Sequence, residues 1–383
     1  MVSNRREFLE GVLPASLIAS SAPSLFAAQN SLWLYIGAYT GEKNKGITLS
    51  QFDLATGAIS EMTLAAESRN PTFLELHPSG KWLYAICEIG NYGGQKSGSL
   101  CAYSVDRASG RLTLLNQVAT KGSGPCHVSL DHKGRVAMIA NYGSGSVASF
   151  KIEADGKVSE AVSFFQHEGK GPNPKRQEGP HGHSINPTPD NKYAVACDLG
   201  LDEVRIYTLN GATAEMGFHK AVKLAPGSGP RHFAWHPSGK YGYAVNELAS
   251  TVTAFNYRDG DLTETQTIST LPEGFKGENW PAEIRVHPSG KWVYASNRGE
   301  DTIAAFVVDA KSGKLTRTAN TPTQGRNPRN FHIEASGRWM LAANQSTNNV
   351  IVFEIDQKSG ALKTTGKGIT VGQPVCLRTL ARG

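Results

Sequence analysis

The chain lacks the features that build most other folds. Beyond its first 28 residues no stretch reaches the 18 or so apolar residues of a transmembrane helix. Within its body no window carries a long amphipathic helical period, which excludes bundles and helical solenoids. Cysteine is scarce: Cys87, Cys101, Cys126, Cys197 and Cys376 are odd in number and match no metal-ligand spacing. Most fall in expected strands, where a thiol acts as a small buried hydrophobe, so no disulfide framework is expected. No block of Lys or Arg occurs, although the net charge over 383 residues is +6. Basic and aromatic residues are scattered, which is no nucleic-acid footprint and suits a modest attraction for small anions. The Gly-x-Ser-x-Gly elbow of serine esterases is also missing.

What is present is a repeat. The phrase NPTFLELHPSGKWLYAICE at residues 70–88 returns as GPRHFAWHPSGKYGYAVNE at 229–247 and as WPAEIRVHPSGKWVYASNR at 280–298. Weaker copies begin at 124, 183 and 327, and a truncated copy, QPVCLRTL, begins at 373. Pro71, Pro125, Pro180, Pro230, Pro281, Pro328 and Pro374 mark the starts, 46 to 55 residues apart. Periods of this size mean solenoids, propellers or arrays. Each copy reads as an alternating strand, a His-Pro-Ser-Gly turn, an aromatic and β-branched strand, a polar loop, a third strand and a short fourth. Four antiparallel strands per repeat make a propeller blade.

The count closes without remainder. The last copy supplies only a first strand, and residues 32–40 (LWLYIGAYT) align with the second strands. Pairing the two ends gives an all-β, seven-bladed propeller with no open edge, rather than an open β-solenoid. One propeller over residues 31–383 is therefore expected. Residues 1–28 stand apart. Arg5-Arg6-Glu7-Phe8-Leu9, followed by a stretch rich in Ala, Ser and Leu, resembles a twin-arginine export signal and implies a periplasmic address. The alternative is a cytosolic tail. No membrane partner is expected, and the oligomeric state is not legible.

Blades present equivalent positions around one channel, so the repeats can be stacked. Counting back five residues from the turn gives Thr72, Cys126, His183, Arg231, Ala282, Arg329 and, placed by its proline, Val375. The ends of the second strands give Tyr39, Glu88, Tyr142, Leu199, Glu247, Arg298 and Gln345. First and second strands are antiparallel, so both columns face one rim of the channel. His183, Arg231, Glu247, Arg298, Arg329 and Glu88 should converge there as a polar concave site. The competing role for Glu88, Glu247 and Arg329 is ion pairing that pins the blades. Asn141, Asn246, Asn297 and Asn344, one step earlier, suit backbone-capping roles. His77, His236 and His287 recur in register with the turn and suit packing there. One loop breaks the repeat: QHEGKGPNPKRQEGPHG at 166–182 runs into His183. Its length and its Pro and Gly content suggest a fixed path over the channel mouth. Arg176, Gln177 and His181 are its candidates for substrate contact.

The phrases GPNPKRQEGPHGH at 171–183, GPRHFAWHP at 229–237, VNE at 245–247, SNR at 296–298 and NPR at 327–329 resemble the seven-bladed propeller lactonases. That is the 6-phosphogluconolactonase type, which includes the fungal 3-carboxy-cis,cis-muconate lactonizing enzyme. The resemblance implies His183, Arg231, Glu247 and Arg298 as active-site residues and no metal or other cofactor. The substrate it implies is a small, anionic or polyhydroxylated lactone. In such chemistry Glu247 or His183 would be the general base, and the arginines would hold an oxyanion, phosphate or carboxylate. Export favours an unphosphorylated sugar lactone. The rival readings are a lactone-forming cycloisomerase acting on an unsaturated dicarboxylate and a propeller that only binds a ligand or partner.

Overall fold

The computed structural model describes residues 30–383; the export-like segment lies outside the described residues. Twenty-eight strands form seven four-stranded antiparallel sheets, and no helix occurs among the described residues. The ring closes as expected. The terminal strand Pro374–Ala381 is the inner strand of the first blade and pairs with Ser31–Ala38, from Leu32↔Ala381 to Ala38↔Pro374. One blade is thus built from strands far apart in the chain, which closes the ring and leaves only the outer strand of each blade as an edge.

The repeated phrase also joins the blades. His77 Nδ1 bonds Ser79 within its own turn at 2.8 Å, and its Nε2 reaches Gly134 O of the next blade at 3.0 Å. His236 and His287 repeat the pattern onto Gly290 O and Gly337 O, both at 2.9 Å. Gly134 must be glycine: its φ is +66°, and a Cβ there would stand 2.1 Å from His77 Nε2. A second series runs from Tyr35, Tyr84, Tyr243 and Tyr294, whose hydroxyls donate to Gly110 O, Gly156 O, Gly313 O and Gly360 O. Each such bond contributes about 0.5–1.5 kcal/mol. They sit among apolar faces packed blade against blade. Asn141, Asn246, Asn297 and Asn344 are fully buried and donate to loop carbonyls or neighbouring hydroxyls, as expected.

The start of each inner strand aims side chains into the channel. Strand register skips at Cys126, His183, Arg231, Arg329 and Val375, and across Ala282-Glu283. These are β-bulges, which insert an extra residue and redirect its side chain. A proline, which lacks an N–H, stands directly before each of these except His183, which follows Gly182, and in several copies the residue before that proline is left-handed. Asn70, Gly124, Gly229, Asn327 and Gln373 all have φ between 42° and 63°. Glycine and asparagine tolerate that conformation, so the Asn/Gly-Pro signature in the sequence marks the bulge.

Candidate functional site

Five bulged residues and their counterpart Thr72 form a ring. Thr72, Cys126, His183, Arg231, Arg329 and Val375 narrow the channel together with Phe73, Glu88 and His232. Above this constriction opens a cavity of about 350 Å³ walled by Glu88, Cys126, Tyr142, Arg176, His183, Glu247, Trp280, Arg298 and Arg329. Both columns read from the repeat therefore meet at one mouth.

Glu247 is the hub. Its Oε2 lies 3.0 Å from Arg231 Nε and 2.7 Å from Arg298 Nη2, and its Oε1 lies 2.5 Å from Arg176 Nη2. Burial alone would raise this carboxyl, but Arg298, Arg231 and Arg176 hold it well below the usual carboxylate range. Burial brings Arg298 down to about 9 against the pull of Glu247, which leaves it charged at neutral pH. Arg298 is fixed further by donation from Nε to Trp280 O at 2.8 Å. Arg231, 2% exposed, donates to Ala282 O at 2.5 Å and lies at the constriction, beneath the open cavity.

His183 is 4% exposed. Burial first, then Arg231 and His232, keep its imidazole well below the ordinary histidine value, so it is neutral at pH 7. Its Nδ1 lies 3.6 Å from Cys126 Sγ, and Tyr142 packs edge-on against the ring at 5.2 Å. Among the described residues its Nε2 has no partner. Glu88 makes no ion pair with a described residue; its oxygens accept from Tyr39 Oη at 2.9 Å and Thr72 Oγ1 at 2.6 Å. Arg329 has neither a hydrogen bond nor an ion pair within 4 Å among the described residues. Burial opposes its charge, while Tyr39, Glu88 and Glu247 favour it. Four guanidiniums (Arg176, Arg231, Arg298, Arg329) face two carboxylates (Glu88, Glu247), so the wall carries a surplus of two positive charges.

The loop before His183 contributes unequally. Arg176 reaches the cavity and also donates to Tyr142 Oη at 3.4 Å. Gln177 does not: it is fully buried and donates to Leu199 O at 2.9 Å and Asp202 Oδ1 at 2.8 Å. It anchors the loop to the fourth blade, whose bonding groups offered a buried amide better partners than solvent. His181 also lies off the cavity wall. It stacks on Tyr142 at 4.4 Å and bonds Tyr142 O through Nδ1, supporting that tyrosine from behind. Trp280, 39% exposed on the cavity wall, was missed by sequence reasoning. Its signal was a departure from pattern: it stands before Pro281 where the clear copies carry Gly or Asn. No three His, Cys, Asp or Glu side chains gather as a metal site among the described residues.

Comparison with known proteins agrees with this architecture. The family described as "Lactonase, 7-bladed beta-propeller" matches residues 33–379. The 6-phosphogluconolactonase of Bacillus subtilis (strain 168) is 40% identical over 300 residues, covering 78% of this chain and 83% of that protein. The 6-phosphogluconolactonase of Formosa agariphila is 34% identical over 309 residues, 78% of this chain and 86% of its own length. The periplasmic gluconolactonase of Pseudomonas aeruginosa superposes with a TM-score of 0.87 at 33% identity, over 92% of this chain and all of that one. The chain belongs to the seven-bladed β-propeller lactonases.

Proposed function

We propose that this protein hydrolyses an aldono-1,5-lactone to its open acid at the mouth walled by His183, Arg298 and Arg329. The observation that carries the reading is a neutral imidazole, its Nε2 without a partner among the described residues, at a mouth whose cavity wall and constriction together carry two surplus positive charges. A neutral sugar lactone becomes an anion as water adds to its carbonyl. Guanidiniums fixed before that charge appears stabilise the transition state more than the ground state.

His183 Nε2 takes the proton from water as its oxygen bonds the ring carbonyl carbon. The carbonyl oxygen becomes an oxyanion facing Arg298 and Arg329. Collapse breaks the ring ester bond, and the imidazolium returns its proton to the departing ring oxygen. Glu247 suits the base role poorly, because three arginines hold its charge and depress its basicity. It serves instead to orient the guanidiniums. The face of Trp280 suits the carbon side of a sugar ring, and about 350 Å³ suits a single monosaccharide-sized ligand.

The Arg5-Arg6 motif and the periplasmic relative from Pseudomonas aeruginosa support export, where an unphosphorylated lactone is the expected substrate. The test is acid release from glucono-1,5-lactone and its 6-phosphate, with His183→Gln as the control. Opening of glucono-1,5-lactone faster than in buffer, lost in the variant, is expected. Hydrolysis of both lactones at the buffer rate overturns the reading.

A further inference from the structure

A chain of hydrogen bonds continues below the cavity floor. Arg231 Nη1 lies 3.0 Å from His232 Nε2, and His232 Nδ1 lies 3.2 Å from Glu283 Oε1. Glu283 Oε1 also accepts from Ile284 N at 3.1 Å and faces Arg285 Nε at 3.4 Å, while its Oε2 accepts from Asn330 Nδ2. His232 and Glu283 are 4% and 3% exposed, so these contacts are shielded from competing water.

The chemistry of the donors settles the protons. A guanidinium has five N–H donors and no acceptor. Arg231 must therefore donate, and His232 Nε2 must carry the lone pair. The single imidazole proton then sits on Nδ1 and is donated to Glu283. One tautomer satisfies both ends, and a carboxylate behind the ring makes Nε2 a better acceptor, as a carboxylate does for a metal-bound histidine. Arg231 is thereby gripped on two sides. Glu247 takes Nε from the cavity side, and His232 with Ala282 O takes Nη1 from below. Neither His232 nor Glu283 lies on the wall of the cavity above the constriction.

We propose that Glu283 and His232 are positioning residues for the lactonase reaction: they hold the Arg231 guanidinium, whose Nε fixes the Glu247 oxygen that in turn orients Arg298 toward the oxyanion. The double bulge at Ala282-Glu283 is the local device: it brings the Glu283 carboxylate and the Ala282 carbonyl to the same neighbour. The proposal rests on the lactonase reading, and its test separates the two. Displacing a catalytic group by about 1 Å costs on the order of 100-fold in rate.

The experiment is a double-mutant cycle on lactone hydrolysis by the full chain, with melting followed in parallel. Wild-type inactivity would sink the lactonase reading and not the cycle's logic. With wild type active, Glu283→Gln is expected to lower kcat and kcat/KM alike by roughly 10- to 100-fold. In an Arg231→Ala background the same change is expected to add nothing, because it acts through the missing guanidinium. Equal losses in both backgrounds would mark a merely structural role and overturn the proposal. His232 supplies a second route should Glu283→Gln not fold. His232→Gln, which retains an acceptor toward Arg231, is expected to keep more of kcat than His232→Phe, which fills the space without one. Equal kcat for the two variants overturns the proposal as well.

Discussion

Acidification should destabilise this propeller well before its carboxylates titrate, because three neutral imidazoles meet edge to face in the channel. His127, His183 and His232 are 5%, 4% and 4% exposed, and the His127 and His183 rings stand 5.3 and 5.4 Å from that of His232. Burial is the main cause that holds each well below the ordinary histidine value, and neighbouring cations add to it. Unfolding releases them to an ordinary value near 6.5. Between the depressed folded values and that unfolded value, the unfolded chain binds more protons. Stability therefore rises with pH through this window and falls as pH drops below about 6.5. At pH 5.5 about nine-tenths of each unfolded imidazole is protonated, so unfolding takes up roughly three protons for this cluster, and the buried, likewise depressed His332 adds about one more. The cluster's share of the slope is about 3–4 kcal/mol per pH unit, and its share of the loss between pH 7 and 5.5 is about 4 kcal/mol. Urea titrations at several pH values, or calorimetry in buffers of different ionisation enthalpy, read the proton uptake directly. His127→Gln should remove about one proton from it. Stability that stays flat from pH 7 to 5.5 would refute the neutral cluster, and with it the neutral His183 on which the hydrolytic reading depends.

Two further outcomes follow from the geometry. Arg329→Ala should slow lactone hydrolysis by about 100- to 1000-fold, the loss of roughly 2.7–4 kcal/mol of oxyanion stabilisation, with little change in melting. Arg329 has no hydrogen bond or ion pair to lose among the described residues, whereas Arg231→Ala removes one of the three arginines on Glu247, takes the donor from His232 Nε2 and Ala282 O, and should lower both activity and stability. Unchanged kcat/KM in Arg329→Ala would remove that arginine from the mechanism. Deleting residues 375–383 should unfold the whole ring in one transition, not fray one blade. The terminal strand bonds Leu377 N to Asn330 of the seventh blade and Arg378 to Glu75 of the second. Wild-type melting of the truncated chain would contradict the closure.

The architecture was legible because it repeats. A phrase recurring every 46 to 55 residues specifies the blade, and two half-copies at the ends specify how the ring closes. Equivalence between blades then placed His183, Arg231 and Arg329 in one column and Glu247, Arg298 and Glu88 in another, before any distance was known. The same logic marked His77, His236 and His287 as turn residues, and each ties its turn to the next blade.

Only the tertiary structure decided which charged groups have partners, because pairing is a matter of ångströms between blades that no period encodes. Glu247 gathers three arginines while Glu88, its column mate, takes only hydroxyls, and Arg329 is left without a hydrogen bond or ion pair among the described residues. Loop side chains were equally beyond reach of the repeat. Arg176 and Gln177 are adjacent in a segment without copies, yet one enters the cavity and the other is buried against Asp202. The partnership of Arg231, His232 and Glu283 likewise needs the fifth and sixth blades side by side. The sequence determined the ring and the rim on which its charges meet; the packing of blade against blade determined which of those charges remain available to a substrate.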